Sequence, residues 1–315
     1  MIAGKSIPSA SDRSFLTRYA WLSIAAALLT IVLKAGAYWL TGSVGLLSDA
    51  MESSVNLVGA VIALVMLTIA ARPADEEHAF GHSKAEYFSS GVEGTLILIA
   101  AGSIAYAAVQ RLLNPQPLEQ VGIGLAVSLV ASIINLGTAL VILRAAKAYK
   151  SITLEANGRH LITDVWTSVG VVVGVGAVAL TGWQVLDPII ALLVAANIVW
   201  SGVGIVRASV NGLMDTALPA EDLAAIDRVL APYVERGIEF HAIRTRQSGA
   251  RGFASMHVLV PGSWSVQRGH ALLEQIESDL ARELPHVTVT THLEALEDPA
   301  SYADQSLDRH GGPPV

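Results

Sequence analysis

Long, nearly uninterrupted apolar stretches occupy the first two thirds of the sequence. A helix that spans a membrane needs about 20 predominantly apolar residues. Six stretches reach that length, at roughly residues 15–40, 43–70, 86–112, 120–145, 151–181 and 186–208. Glycine and proline mark several of the joints between them. The pattern predicts a domain of six transmembrane helices in residues 1–212.

Beyond residue 212 the apolar runs shorten and the pattern becomes that of a small water-facing domain, residues 213–297. The predicted elements are, in order, a helix over 219–236, strands over 239–247 and 252–260, a helix over 265–284 and a strand over 287–293. This αββαβ order predicts a ferredoxin-like α+β fold with an antiparallel sheet. Residues 298–315 contain Gly-Gly-Pro-Pro and are predicted to be disordered.

Composition agrees with a membrane protein. Hydrophobic residues make up 52% of the 315 positions and charged residues only 15%, whereas soluble domains carry about 25% charged residues. The net charge of -7 argues against a nucleic-acid partner, which would require a basic face. Because the chain has no cysteine, any metal must be held by histidine, carboxylate, amide or water. No cleavable signal sequence is expected.

The distribution of Lys and Arg predicts the orientation in the membrane. Positive residues collect in the loops on the cytoplasmic side of membrane proteins. One side carries Lys5, Arg13, Arg18, Arg72, Lys84, Arg144, Lys147 and Lys150, and the other side carries Arg111. Both termini and the water-facing domain are therefore expected in the cytoplasm, in a multi-pass protein of a bacterial inner membrane.

Polar and ionisable residues occur at depth in the second and fifth spans. Glu52 and Asn56 share one helix face because they are four residues apart, and His160 and Asp164 repeat that spacing. Charged groups at the bilayer centre cost several kcal/mol, so a bound cation or protons would offset them. The alternative is that these side chains form hydrogen bonds between helices. A slip of one turn would replace the first pair by Asp49 and Ser53.

Histidines also cluster outside the spans. The loop after the second span contains Asp75, His78 and His82, a mixed nitrogen and oxygen set that suits dications. Five more histidines lie in the water-facing domain, at positions 241, 257, 270, 286 and 292. Alternation along a strand places His292 and Glu294 on the same face. A solvated polar loop and isolated surface histidines are the alternatives.

Two motifs give the sequence a resemblance to a known family. Six spans, His-x-x-x-Asp in the fifth and an αββαβ tail resemble the cation diffusion facilitators, over about residues 14–296. The stretch Pro-Ala-Asp-Glu-Glu-His-Ala-Phe-Gly-His-Ser-Lys-Ala-Glu at residues 73–86 is nearly identical to that of bacterial zinc and iron exporters. Arg-Thr-Arg-Gln-Ser-Gly at residues 244–249 is shared as well.

The resemblance implies particular site residues. It implies an intramembrane site of Glu52, Asn56, His160 and Asp164. It implies a loop site of Asp75, His78 and His82, and a binuclear tail site of His241, His257, His270, His292 and Glu294. It also implies a homodimer locked by pairing of Lys84 with Asp215.

The resemblance further implies efflux of a divalent transition metal, with metal and protons exchanged by alternating access. Among the divalent metals, zinc is the first expected substrate. The family's zinc exporters carry Asp or His and then Asp where this chain has Glu52 and Asn56, so iron(II), cobalt, nickel, cadmium and manganese stay open. No prosthetic group is expected.

Two other classes of protein are alternatives to a transporter. A metal sensor or store would keep the loop and tail histidines but would not need ligands in the membrane. An intramembrane metalloprotease would need His-Glu-x-x-His. The stretch His160-Leu-Ile-Thr-Asp164 lacks that motif, so an enzyme is not expected.

Overall fold

Six long helices form the first unit of the structure, a computed structural model that describes residues 11–41, 44–114, 122–303 and 305. A short 3-10 helix, Ser11–Leu16, precedes them. The helices are α1 (Thr17–Thr41), α2 (Val44–Ala70), α3 (Ala85–Leu113), α4 (Gly122–Tyr149), α5 (Ile152–Thr181) and α6 (Leu186–Leu213). Their bounds differ from the predicted spans by five residues at most.

By length and composition, at least five of these helices qualify as membrane spans over the residues that the structure describes. The 30-residue helix α5 carries Glu155, Arg159, His160 and Asp164 in its first half. Ser151 caps its start by accepting a hydrogen bond from the backbone N–H of Leu154. α5 packs against α2, α3 and α4. His160 is buried there, whereas Glu155 and Arg159 lie on the exposed side of the helix.

The second unit begins at Gly212 and contains the predicted α+β domain. Its elements are α7 (Ala220–Val234), β1 (Glu239–Ser248), β2 (Arg251–Val260), α8 (Val266–Glu283) and β3 (Val287–Ala295). Alternate residues of β2, including Met256 and Val258, join α7 and α8 in the hydrophobic core. The opposite face of the sheet, which carries His257, is not covered by these helices. This confirms the predicted α+β domain.

The expectation of an antiparallel sheet is wrong for one of the two strand pairs. The strand order is β1-β2-β3, with β1 antiparallel to β2. However, β3 runs parallel to β2, so that Gly252 lies opposite Val287 and Val260 opposite Ala295. The physical reason is the connection, because α8 crosses over the sheet between β2 and β3 and returns the chain in the same direction.

The prediction of disorder from residue 298 is wrong for residues 298–303 and 305. A 3-10 helix, Pro299–Tyr302, follows Asp298, whose side chain accepts a hydrogen bond from the backbone N–H of Ala300. Buried Ser301 donates to the carbonyl of Ala295 at 2.8 Å. This segment packs on the domain because its cap and its buried hydroxyl are both satisfied there. The remaining residues of the predicted disordered tail lie outside the described ones.

Candidate functional site

Three polar side chains from different helices meet inside the helical bundle. Asn56 of α2 donates its Nδ2 hydrogen bond to Oδ2 of Asp164 on α5. Asn135 of α4 donates to the same oxygen at 3.3 Å. Asn56 is 6% exposed, and its amide oxygen has no hydrogen-bond partner among the described residues. Asp164 Oδ2 thus accepts hydrogen bonds from two amides, while the buried amide oxygen of Asn56 has no donor among the described residues. Carboxylate and amide oxygens of this kind are ligands that suit a hard or borderline cation.

A cavity of about 400 Å³ reaches this group. Its walls include Asn56, Asn135 and Asp164, and along α5 they continue to Val173. On α3 they run from Ile104 to Arg111. The cavity therefore extends from Asp164 toward the ends of α3 and α5 at Leu113 and Thr181. A water-filled path to a buried carboxylate is the usual setting for an ionisable residue in a membrane protein.

His160 and a residue that the sequence analysis missed form a second buried group. The Nδ1 of His160 contacts Oε2 of Glu93, a residue of α3 with no solvent exposure. Asn157, three residues before His160 on α5, donates its Nδ2 to Glu93 Oε1 at 2.9 Å. The Asn157 amide oxygen is buried and has no hydrogen-bond partner among the described residues. The sequence signal that could have identified Glu93 is the presence of a carboxylate within an apolar span.

The other half of the predicted intramembrane pair is only partly described. The side chains of Glu52 and Asp49 lie outside what the structure describes. Ser53, the second member of the alternative pair, is 2% exposed and lines the cavity beside Asn56. The structure thus joins Asn56 to Asp164 directly and leaves the role of Glu52 a prediction.

The loop between α2 and α3 brings Asp75, His78 and His82 together. Their ligand atoms all lie within 4.8 Å of one another. Asp75 Oδ1 accepts from the backbone N–H of His78 at 2.7 Å, and Asp75 Oδ2 lies 3.4 Å from His82 Nε2. That backbone hydrogen bond, assisted by the nearby histidine side chains, lowers the pKa of Asp75 below its ordinary value. Asp75 therefore stays ionised, as a metal ligand must.

Strand register aligns three histidines in a row across the sheet of the second unit. His241 of β1 lies opposite His257 of β2, which lies opposite His292 of β3. Neighbours in register share one face of a sheet, so all three side chains project from the face that α7 and α8 leave uncovered. The pairing register is interrupted just after His241, where Ala242 has a φ of 49°.

Glu294 joins these histidines from β3. Its Oε2 lies 2.9 Å from His241 Nε2, and its Oε1 lies 3.2 Å from His257 Nδ1. The two imidazole nitrogens are themselves 3.1 Å apart. The side chain of Glu294 is 7% exposed, so the carboxylate and the two nitrogens converge in a sheltered position. Two imidazoles and a carboxylate form a typical ligand set for zinc and similar ions.

Not every predicted tail ligand reaches this group. His292 lies at the edge of this group, with its Nε2 atom 3.7 Å from Glu294 Oε1. His270 lies on α8 with its side chain 68% exposed, and its Nε2 is 3.8 Å from Glu274 one turn along the helix. Within the described chain His270 therefore lies outside the group of His241, His257 and Glu294.

Asp215, the acidic member of the predicted dimer lock, has its Oδ1 atom 3.3 Å from Arg246 Nη1. The pairing of Lys84 with Asp215 stays a prediction.

Comparison with known proteins identifies the family. Residues 20–214 match the family model described as the cation efflux transmembrane domain. Residues 218–296 match the model described as the cation efflux protein, cytoplasmic domain. A solved structure of the proposed zinc transporter CzrB covers 25% of this chain and 96% of its own, at 34% identity and a TM-score of 0.22.

Full-length relatives point to the same family. The uncharacterized transporter sll1263 of Synechocystis sp. is 54% identical over 284 residues, which is 90% of this chain and 92% of that protein. The cation-efflux pump FieF of Klebsiella pneumoniae is 29% identical over 287 residues, or 91% of this chain and 93% of the pump. The chain therefore belongs to the cation efflux transporters, the cation diffusion facilitator family.

Proposed function

We propose that this transporter exports a divalent transition metal from the cytoplasm in exchange for protons, by alternating access and as a homodimer. The observation that carries the proposal is the group of Asn56, Asn135 and Asp164 at the end of a cavity inside the helical bundle. A carboxylate at that depth needs a cation or a proton to offset its charge. A site that takes either one in turn couples the two fluxes.

The intramembrane ligand set we propose is Glu52, Asn56, His160 and Asp164. The substrate that fits is a borderline dication because the set mixes carboxylate, imidazole and amide donors. Zinc is the first candidate, followed by iron(II), cobalt, nickel, cadmium and manganese. The neutral amide of Asn56 gives the site one carboxylate fewer than a second acidic residue would.

Coupling to protons follows from competition at the same atoms. Ligands must lose protons before they bind a metal, so metal binding releases protons and protonation releases metal. With both termini in the cytoplasm, the cavity opens to the outer side, and protons arriving there would displace the ion. The protonated, less charged site then returns across the membrane at a lower electrostatic cost.

The loop and tail sites are assigned to capture and regulation. Asp75, His78 and His82 converge in the loop that we place on the cytoplasmic side. His241, His257 and Glu294 would hold a regulatory ion in the cytoplasmic domain, with His292 beside them and His270 predicted to join a second ion. A regulatory ion acts only if it binds one arrangement of the two protomers more tightly than the other.

Reconstituted protein tests the function directly. Purified protein in liposomes with an acidic lumen is offered Zn²⁺, Fe²⁺, Co²⁺, Ni²⁺, Cd²⁺ and Mn²⁺ in turn. We expect uptake of one or two of these cations that stops when a protonophore collapses the gradient, and none in protein-free vesicles. Tight binding without flux of any cation would contradict transport and leave a metal sensor or store.

Glu294→Gln should weaken zinc binding in the cytoplasmic domain by about 100-fold, because it removes the charged ligand that two histidines share. The measurement is equilibrium dialysis of full-length protein that also carries His82→Ala, which removes the loop site. Glu297→Gln is the matched control, since the side chain of Glu297 accepts only a backbone hydrogen bond from Gly262 among the bonds described. Equal affinities of the two variants would contradict the assignment.

A further inference from the structure

Glu93 is a carboxylate whose burial the family assignment does not explain. It lies on α3 with no solvent exposure, inside a helix that is long and apolar enough to span a membrane. Ionisable residues at such depth are costly and mark ion or proton pathways. Its partners are therefore the first indication of what it does.

These partners form a donor set that fits a cation. Oε2 of Glu93 contacts His160 Nδ1, and Oε1 accepts from Asn157 Nδ2 at 2.9 Å. Asn157 is 3% exposed, and its amide oxygen has no hydrogen-bond partner among the described residues. Carboxylate oxygen, imidazole nitrogen and an unsatisfied amide oxygen within one buried cluster are ligands that borderline dications accept.

The close approach of α2 brings this cluster beside the group around Asp164. A Cβ at Gly59 would lie 2.8 Å from Glu93 Oε1, so a larger residue there would force the carboxylate to shift. Gly59 is three residues from Asn56 on α2, and His160 is four residues from Asp164 on α5. At about 1.5 Å per residue, the two groups are therefore stacked about 4–6 Å apart along the helices.

We propose that Glu93, Asn157 and His160 form a second cation-binding level, one helix turn from the level of Asn56, Asn135 and Asp164, that His160 is the ligand which both levels share, and that the transported ion passes between the two. This rests on the proposed function. The second level lies toward the starts of α3 and α5, and hence on the cytoplasmic side in the orientation proposed above. Each level contributes at least one carboxylate, so an ion moving between them stays next to a negative charge throughout.

Binding of Co²⁺ tests this level without requiring transport. The full-length protein carries His82→Ala and His257→Ala, so that the loop and tail sites are removed. Adding Asp164→Asn disables the outer level, and we expect one Co²⁺ still to bind, with absorption bands of a site that contains imidazole. Adding Glu93→Gln to that protein should lower the affinity at least about 100-fold, because a charged ligand is lost and not merely an outer partner.

Two further variants separate a ligand from a residue that only holds His160 in place. Asn157→Ala should lower Co²⁺ affinity about 10-fold, although it leaves the contact between Glu93 and His160 intact. Glu155→Gln, an exposed carboxylate on the same helix, should leave it unchanged. Loss of all binding with Asp164→Asn, or an affinity within about threefold after Glu93→Gln, would overturn the second level. Because no gradient is applied, a failure of transport would not affect this result.

Discussion

Replacing Asp164 with asparagine should abolish gradient-driven metal uptake, with a loss of at least about 100-fold. Losing a hydrogen-bond partner of a metal ligand costs about 10–100-fold in metal affinity or activity, so losing a charged ligand should exceed that range. Asp164 is the carboxylate at which two amides converge, and the substitution keeps its size while removing its charge. The measurement is the initial rate of uptake into proteoliposomes at matched protein content.

Asn135→Leu provides the comparison for that variant. Asn135 donates to the same oxygen at 3.3 Å but contributes no charge, so we expect a decrease of about 10-fold. Zinc binding at the tail site should be the same in both variants, which shows that the protein is folded. Uptake by Asp164→Asn at the wild-type rate would remove this residue from the transport site and with it the proposed coupling.

The hydrophobic pattern predicted the helices well because the membrane and the protein core both favour apolar residues, and these form continuous runs in the sequence. Bounds such as Ile152–Thr181 for α5 and Glu239–Ser248 for β1 differ from the predicted ones by one residue. The direction of β3 was not predictable in this way. Alternation tells which face of a strand is buried, but strand direction depends on how the chain crosses over the sheet.

The candidate sites were also predictable within one helix or strand but not between different elements. The spacing of four residues in a helix and of two in a strand predicted that His160 shares a face with Asp164, and His292 with Glu294. Contacts between elements were beyond such spacing rules. No ionisable residue lies within four positions of Glu93 along α3, and only the packing of α3 against α5 brings it to His160. Strand register likewise aligns His257 with His241 and leaves His270 on a separate helix.

The start of the predicted disordered tail was placed too early for a local reason. The Gly-Gly-Pro-Pro stretch drew the predicted boundary back to residue 298, although a helix start was visible in the sequence. Asp298 followed by Pro299 is a favoured combination of capping residue and first helical residue. In the structure this segment lies beside the histidines, since the Tyr302 ring is 6.0 Å from that of His241.

A buried ion pair should give the largest effect on stability. Glu86, at the start of α3, is 1% exposed, and its Oε1 lies 3.2 Å from Arg13 Nη1. Its Oε2 accepts a hydrogen bond from Ser151 Oγ. Arg13 also donates to the carbonyl of Tyr149 at 2.8 Å. One carboxylate thus joins the segment before α1 and the start of α3 to the connection between α4 and α5.

We expect Glu86→Leu to lower the free energy of unfolding by about 3–5 kcal/mol, because it leaves the guanidinium of Arg13 buried without its counter-charge. The measurement is denaturant unfolding in detergent micelles, followed by tryptophan fluorescence. Replacing both partners, in Arg13→Met with Glu86→Leu, should restore most of the loss, since an apolar pair of similar volume avoids the buried charge. If the double variant is as unstable as Glu86→Leu, the charge is not the cause.

The exposed ion pair of Glu155 and Arg159 is the control for this prediction. Its atoms are closer, at 2.9 Å, but each side chain is 49% exposed. Water and salt weaken an exposed pair, so Glu155→Leu should cost no more than about 1 kcal/mol. If Glu155→Leu lowered the free energy of unfolding more than Glu86→Leu, the prediction would be contradicted. Burial would then not be what determines the stability contribution of these ion pairs. The expected order makes Glu86 a structural residue of the motif at residues 73–86, separate from the histidines that we propose as metal ligands.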